Sequence, residues 1–316
     1  MTSEPEDLNI LEVVMPRSHL ATACAALIVL APMLGACTGA DTPTTTPSAG
    51  TGSSVGPSGE SGPQPGFELL RFSNPTSVDN RWFPLRPGTQ FVYEGETVED
   101  GRTTEHRVVS TVTDLVKVIA GVPNVVVWDR DFAGDELVEA EIAFFAQADD
   151  GDIWRFGEYP EAYEAGELVE TPAWIHGIKD AQAGLFMMAS PKVSADSYAQ
   201  GWGPEVDWSD RAIVQDTGQE ACVRAGCYSD VLITDEFSLD EPGAHQLKYY
   251  APEVGNIQVG WTGDDPTQET LELVEIVQLS EADMAEVREE AMKLEEQAYV
   301  NSKEVYGRTT PMTPAE

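Results

Sequence analysis

The sequence predicts a mainly β protein, one antiparallel sandwich or partly open barrel, with a C-terminal α-helix. Three observations carry this reading. Short runs rich in Val, Ile, Tyr, Phe and Thr recur between residues 67 and 278. Two-residue turn signals, Asp100-Gly101, Gly134-Asp135 and Asp150-Gly151, separate several of them. Sustained apolar spacing of helical period begins only after residue 279.

Ahead of the β region lies a stretch that builds no core. Residues 20–34 are apolar but too short to cross a hydrocarbon layer, which needs about 20 residues. Arg17 and His19 precede the run and small residues close it, so residues 15–36 read as a signal peptide. Four carboxylates, Glu4, Glu6, Asp7 and Glu12, are out of place before such a signal. Residues 1–14 therefore read as a mis-assigned N-terminal extension, with Met15 as the true start. Leu34-Gly35-Ala36-Cys37 resembles the lipobox of bacterial lipoprotein precursors. The resemblance implies cleavage between Ala36 and Cys37, a diacylglycerol on the Cys37 sulfur, and attachment to the outer face of the cytoplasmic membrane. Acyl chains hold a protein at a bilayer with about 0.8 kcal/mol per buried CH₂.

Residues 37–66 are dominated by Thr, Ser, Pro and Gly and read as a disordered tether. A chain of this kind has an r.m.s. reach of roughly 30 Å, from about 5–6 Å times the square root of its length. Gly52-Ser53-Ser54-Val55-Gly56 matches the spacing of a nucleophile elbow, but Ser54 has neither the strand nor the helix that such a turn requires.

The β domain is expected over residues 67–279. With Asp100-Gly101 as a two-residue turn, Tyr93 meets Val108, Glu94 meets Arg107 and Gly95 meets His106. The same reasoning around Gly134-Asp135 sets Arg130 opposite Glu139 and Phe132 opposite Leu137. Around Asp150-Gly151 it groups Gln147, Phe145, Trp154, Phe156 and Glu158 on one face. Residues 159–209, rich in Gly, Pro and aromatics, are expected to run over the sheet as a long excursion. Further strands are expected at 211–216, 227–237, 246–250, 256–261 and 269–277. Cys222 and Cys227 fall on a hairpin with a four-residue loop between them, and in an exported protein they are expected to form a disulfide. A helix is expected over residues 280–306, capped by Ser280 with Asp283 and carrying an apolar stripe of Met284, Val287, Ala291, Leu294 and Ala298. Residues 307–316 form a tail.

Charge excludes one class of partner. The chain holds 18 Lys and Arg against 55 Asp and Glu, a net charge of −37. Removing residues 1–36 takes away four acids and one Arg, which leaves −34. Such a surface repels nucleic acid. Asp149-Asp150-Gly151-Asp152 is the nearest approach to a Ca²⁺ loop and scans better as a hairpin turn, so no metal ligand set is expected.

The segments RWFPLRPGTQFVYEG, DDGDIWRFGE, WIHGIKDAQAG and LKYYAPEVGNI resemble a family of exported β-rich bacterial proteins without an assigned activity. The resemblance implies the fold and the export, and no reaction. Members of that family often carry acids where this chain has Ala143 and Ala148.

Trp154, Glu158, Trp174 and His176 are the candidate ligand-binding residues, because an aromatic platform beside a carboxylate suits a sugar or another small molecule. No catalytic set and no cofactor motif is present. His106 and His245 lie on expected strands, where satisfied, half-buried histidines are the rule. These residues point to a lipid-anchored extracytoplasmic module that binds a small molecule, a glycan or a cell-envelope partner without catalysis. The alternative is a secreted carboxylate-dependent glycan hydrolase. Two inward carboxylates about 5–10 Å apart in an aromatic-lined cleft would favour the hydrolase; an apolar cavity without them would favour the module.

Overall fold

A computed structural model describes residues 62–99, 101–241 and 243–315. Ala36, Cys37, the signal, the proposed start and nearly all of the tether lie outside the described residues.

Five long strands form an antiparallel meander: β1 (Thr89–Glu99), β2 (Arg102–Ile119), β3 (Val122–Ala133), β4 (Glu136–Gln147) and β5 (Ile153–Glu164). Five short ones follow: β6 (Glu167–Glu170), β7 (Trp174–Ile175), β8 (Gln182–Met187), β9 (Tyr198–Ala199) and β10 (Gly201–Trp202). A second meander comprises β11 (Asp210–Val223), β12 (Gly226–Ser238), β13 (Ala244–Ala251), β14 (Gly255–Gly263) and β15 (Thr270–Gln278). The chain then forms α1 (Glu281–Asn301), α2 (Lys303–Tyr306) and β16 (Thr313–Pro314).

The result is a nearly closed antiparallel barrel with a C-terminal helix, the partly open barrel rather than the sandwich of the expected pair. One seam closes where β1 pairs with β15. The other lies between β5 and β11, and residues 165–209 fill it. There β8 pairs with β5, β10 with β8, and β9 with β11, while Gln200 alone separates β9 from β10. The expected excursion over residues 159–209 is therefore corrected twice. Residues 159–164 continue β5, and much of the rest is the wall itself. Gly184 makes this closure possible, since a Cβ there would sit 2.0 Å from the Gly201 nitrogen and 2.1 Å from the Gln200 carbonyl carbon.

Bulges decide which residues face inward. The β1–β2 register is the expected one, with Tyr93 opposite Val108, Glu94 opposite Arg107 and Gly95 opposite His106. Between β3 and β4, Phe132 meets Leu137 as expected, but a bulge at Asp131/Phe132 moves Arg130 opposite Ala140. Around the third turn, Gln147 meets Ile153, Ala146 meets Trp154 and Phe145 meets Arg155, one residue away from the expected register. A second bulge at Phe144/Phe145 restores it, so that Ala143 meets Glu158. Trp154 and Phe156 thus turn away from the face that carries Phe145 and Glu158, because a one-residue slip reverses the side-chain direction.

The helix lies against β2 and β4, and its buried residues include the expected stripe of Met284, Val287, Ala291, Leu294 and Ala298. Its start carries the expected capping box between Ser280 and Asp283. Glu295 is also buried on this face, paired with Lys117 at 2.5 Å. The tail adds β16 to β2, and Glu295 accepts from the Met312 amide at 2.9 Å.

Cys222 and Cys227 are bonded and sit opposite each other in the β11–β12 ladder. Val223 pairs with Gly226, so the loop is two residues rather than four. Arg224 in that turn reaches Glu94 and Glu272, each at 2.7 Å, and the Ala225 amide donates to the Leu273 carbonyl at 3.0 Å. The hairpin tip is therefore fastened across β1 and β15.

Candidate functional site

The barrel interior holds the chemistry. A partly open cavity of about 90 Å³, counted as space for the centres of water-sized molecules, lies among β1–β5, β8, β13–β15 and the loop carrying Phe83. Space for one water requires roughly 10–15 Å³ by this measure, so it admits several waters or one small ligand. Phe83, Tyr93, Phe145 and Phe186 supply aromatic wall, and Asp129, Glu141, Arg155 and Lys248 supply charge.

Arg155 organises the charged side. Its guanidinium reaches Glu141 Oε1 at 2.7 Å and also pairs with Glu158. It lies over the rings of Trp208 and Phe145, at 5.3 and 5.8 Å. Burial raises the Glu158 carboxyl above the usual range, against the opposing pull of Arg155 and of the Trp174 and Trp208 indoles. Glu141 is raised well above its ordinary value by burial and by the neighbouring Glu158. Burial likewise pushes Asp129 up to about 6 and Asp210 up to about 7. Lys248 pairs with Glu236 at 2.8 Å.

His106 pairs with Asp131 and, through Nδ1, with Glu269 at 3.0 Å. Burial opposes its charge, but the two carboxylates outweigh that and raise it to about 10. His245 pairs with Asp235 at 2.7 Å. Both histidines lie on strands and face carboxylates, although His106 is fully rather than half buried.

The four candidate residues fall into two separate groups. Trp154 and His176 pack on Phe67, with ring centroids at 5.3 and 4.6 Å. His176 Nδ1 accepts from the Ala183 amide at 3.1 Å, and burial lowers its pKa. This pair belongs to the packing between the 62–72 segment and the sheet. Glu158 and Trp174 do come together, as opposite residues on β5 and β7, with Trp174 against Trp208 at 4.8 Å. The platform expected from Trp154 beside Glu158 is not formed, because the bulge sends them to opposite faces.

Asp129 and Glu141 were not among the candidates. They sit directly opposite each other on β3 and β4, both lining the cavity. The available signal was a pair of acids two residues apart at the edge of each of two apolar runs, VVVWDRDF and EAEIAFF. Ala143, where the resembling family often carries an acid, lines the same cavity, whereas Ala148 is buried in the β4–β5 loop. In that loop Asp149 accepts from Ser73, and Asp152 from the Ala189 amide at 2.7 Å, which fits a hairpin anchored by its acids. Among the described residues, no three His, Cys, Asp or Glu side chains converge as a metal site.

Fold and interior together define an antiparallel barrel around a small cavity of mixed apolar and charged lining. Two solved structures are similar. A candidate exported protein with YmcC-like fold from Bacteroides fragilis NCTC 9343 has a TM-score of 0.37 at 12% identity, covering 63% of this chain and 99% of that one. A candidate lipoprotein from Parabacteroides distasonis ATCC 8503 has a TM-score of 0.30 at 13% identity, with the same shares covered. No family model matches the chain, and no curated protein matches it. Similarity at this level transfers no function.

Proposed function

We propose that this protein is an exported, lipid-anchored binding module that holds a small molecule inside its barrel without catalysing a reaction. The cavity carries the reading: aromatic wall for an apolar body and a few buried charges for orientation are the ordinary composition of a small-molecule site. The signal-like residues 15–36, the lipobox ending at Cys37 and the tether to residue 66 support export and anchoring.

The expected mark of a glycan hydrolase is two inward carboxylates about 5–10 Å apart in an aromatic-lined cleft, and Asp129 and Glu141 both line this cavity. Their placement argues otherwise. A glycosidase pair flanks the scissile bond, whereas Asp129 and Glu141 project from one register position of one wall, and Arg155 occupies one Glu141 oxygen.

The test is mass spectrometry of small molecules released when the native lipoprotein, purified from its membrane, is denatured. A stoichiometric small molecule, reduced in an Ala143→Leu variant that narrows the cavity, is the expected result; release of none would overturn interior binding. Separately, Cys37→Ser should move the protein out of the detergent phase, and unchanged partitioning would overturn the anchor.

A further inference from the structure

We infer that the Asp129–Glu141 pair recognises a small organic ammonium ion whose apolar body lies against the aromatic wall of the cavity; this rests on the interior-binding reading above. Like charges set directly opposite on neighbouring strands destabilise a sheet; Arg155 already meets Glu141 through Oε1, and a second cation at the remaining oxygens would hold both groups ionised against burial. Glu141 is only 1% exposed, and while its Oε1 is held by Arg155, its Oε2 has no hydrogen-bond partner among the described residues. The Oδ1 of Asp129 is also without one, although Ser110 bonds the carboxylate.

The cations that line the cavity are already engaged. Arg155 joins Glu141 to Glu158, and Lys248 holds Glu236. An ammonium group brings one positive charge and three donors, enough to reach both open oxygens. Its attached carbon chain meets Phe83, Tyr93, Phe145 and Phe186, whose ring faces also attract a cation. A metal ion is a poorer fit, since no third ligand converges among the described residues. An anion would meet two carboxylates.

The experiment is calorimetric titration of the full lipoprotein, in detergent at constant ionic strength and pH 7.5, with three probes of similar size: 2-phenylethylammonium, 2-phenylethanol and phenylacetate. Saturable binding of the ammonium, with the other two at least tenfold weaker, is expected. Asp129→Asn should weaken ammonium binding at least tenfold, and Glu141→Gln likewise. The Asn variant is decisive because it breaks no ion pair, whereas Glu141→Gln also loosens Arg155. Equal binding of the alcohol would overturn the inference and leave interior binding standing. Preference for the carboxylate would overturn it too, with Arg155 and Lys248 then setting the sign. Binding of none would mean that the pair is merely solvated; interior binding would still be decided by what co-purifies from the membrane.

Discussion

At the scale of single residues, Asp129 is an acid that the fold holds at a cost in stability. Its pKa in the fold, about 6, lies above the unfolded value near 3.9. A raised carboxyl binds its proton first in the folded state, so acidification from pH 7 toward 4 stabilises the protein and the cost of the charge is fully present above about pH 6. Asp210, at about 7, acts in the same direction. Arg155 and Lys248 favour the ionised Asp129 and Asp131 opposes it, without reversing the effect of burial. Asp129→Asn should therefore raise the melting temperature at pH 7.5 by about 2–4 °C, the shift that goes with about 1 kcal/mol in a domain of this size. The gain should vanish near pH 4; a gain that persists there in thermal scans would show that charge burial is not its source. His106 adds a slope of the same sign at higher pH. Its folded value of about 10 exceeds the unfolded 6.5, so its contribution is complete below about pH 6.5 and is lost as pH rises through 10.

Among elements, the helix and the disulfide hairpin are held by different forces. Under α1, Glu295 compensates the fully buried Lys117 and also accepts from the tail amide of Met312. Glu295→Leu should cost about 3–5 kcal/mol, because it strands a buried cation between Tyr299 and Tyr306. The double change Lys117→Met with Glu295→Leu should recover most of that loss in urea midpoints, since a buried pair contributes little over a packed apolar one. A double variant as unstable as the single would assign the loss to the tail contact instead. For the hairpin, replacing Cys222 and Cys227 by Ser should cost no more than about 2 kcal/mol, the loop-entropy value for so short a ring. Arg224 and the Ala225 amide still fasten the tip to β1 and β15. Loss of cooperative unfolding on this change would make the disulfide the principal fastening.

For the molecule as a whole, the acid excess sets the response to salt. A chain with 18 Lys and Arg against 55 Asp and Glu repels itself. Raising NaCl to about 0.15 M, where the Debye length is near 8 Å, should raise the melting temperature. Ca²⁺ exchanged for NaCl at constant ionic strength should add nothing saturable, whereas a bound ion would stabilise by RT ln(1 + [L]/Kd). A saturable rise at sub-millimolar Ca²⁺ would reveal a metal site.

Much of this architecture was legible locally. The two-residue turn at Asp100-Gly101 determines its own register, the apolar stripe of α1 determines the buried face of the helix, and the spacing of Cys222 and Cys227 places them on one hairpin. Each follows from a period or turn contained within a few residues. The tertiary structure decided what bulges and closure control. A one-residue irregularity at Phe144/Phe145 separates Trp154 from Glu158, and nothing in local composition marks it. Lys117 and Glu295 meet across 178 positions, and Asp129 meets Glu141 inside a barrel that exists only once residues 165–209 have closed its open seam. Alternation along a strand tells which residues share a face, but which face becomes the interior depends on how distant strands curl and join, and that is a property of the whole sheet.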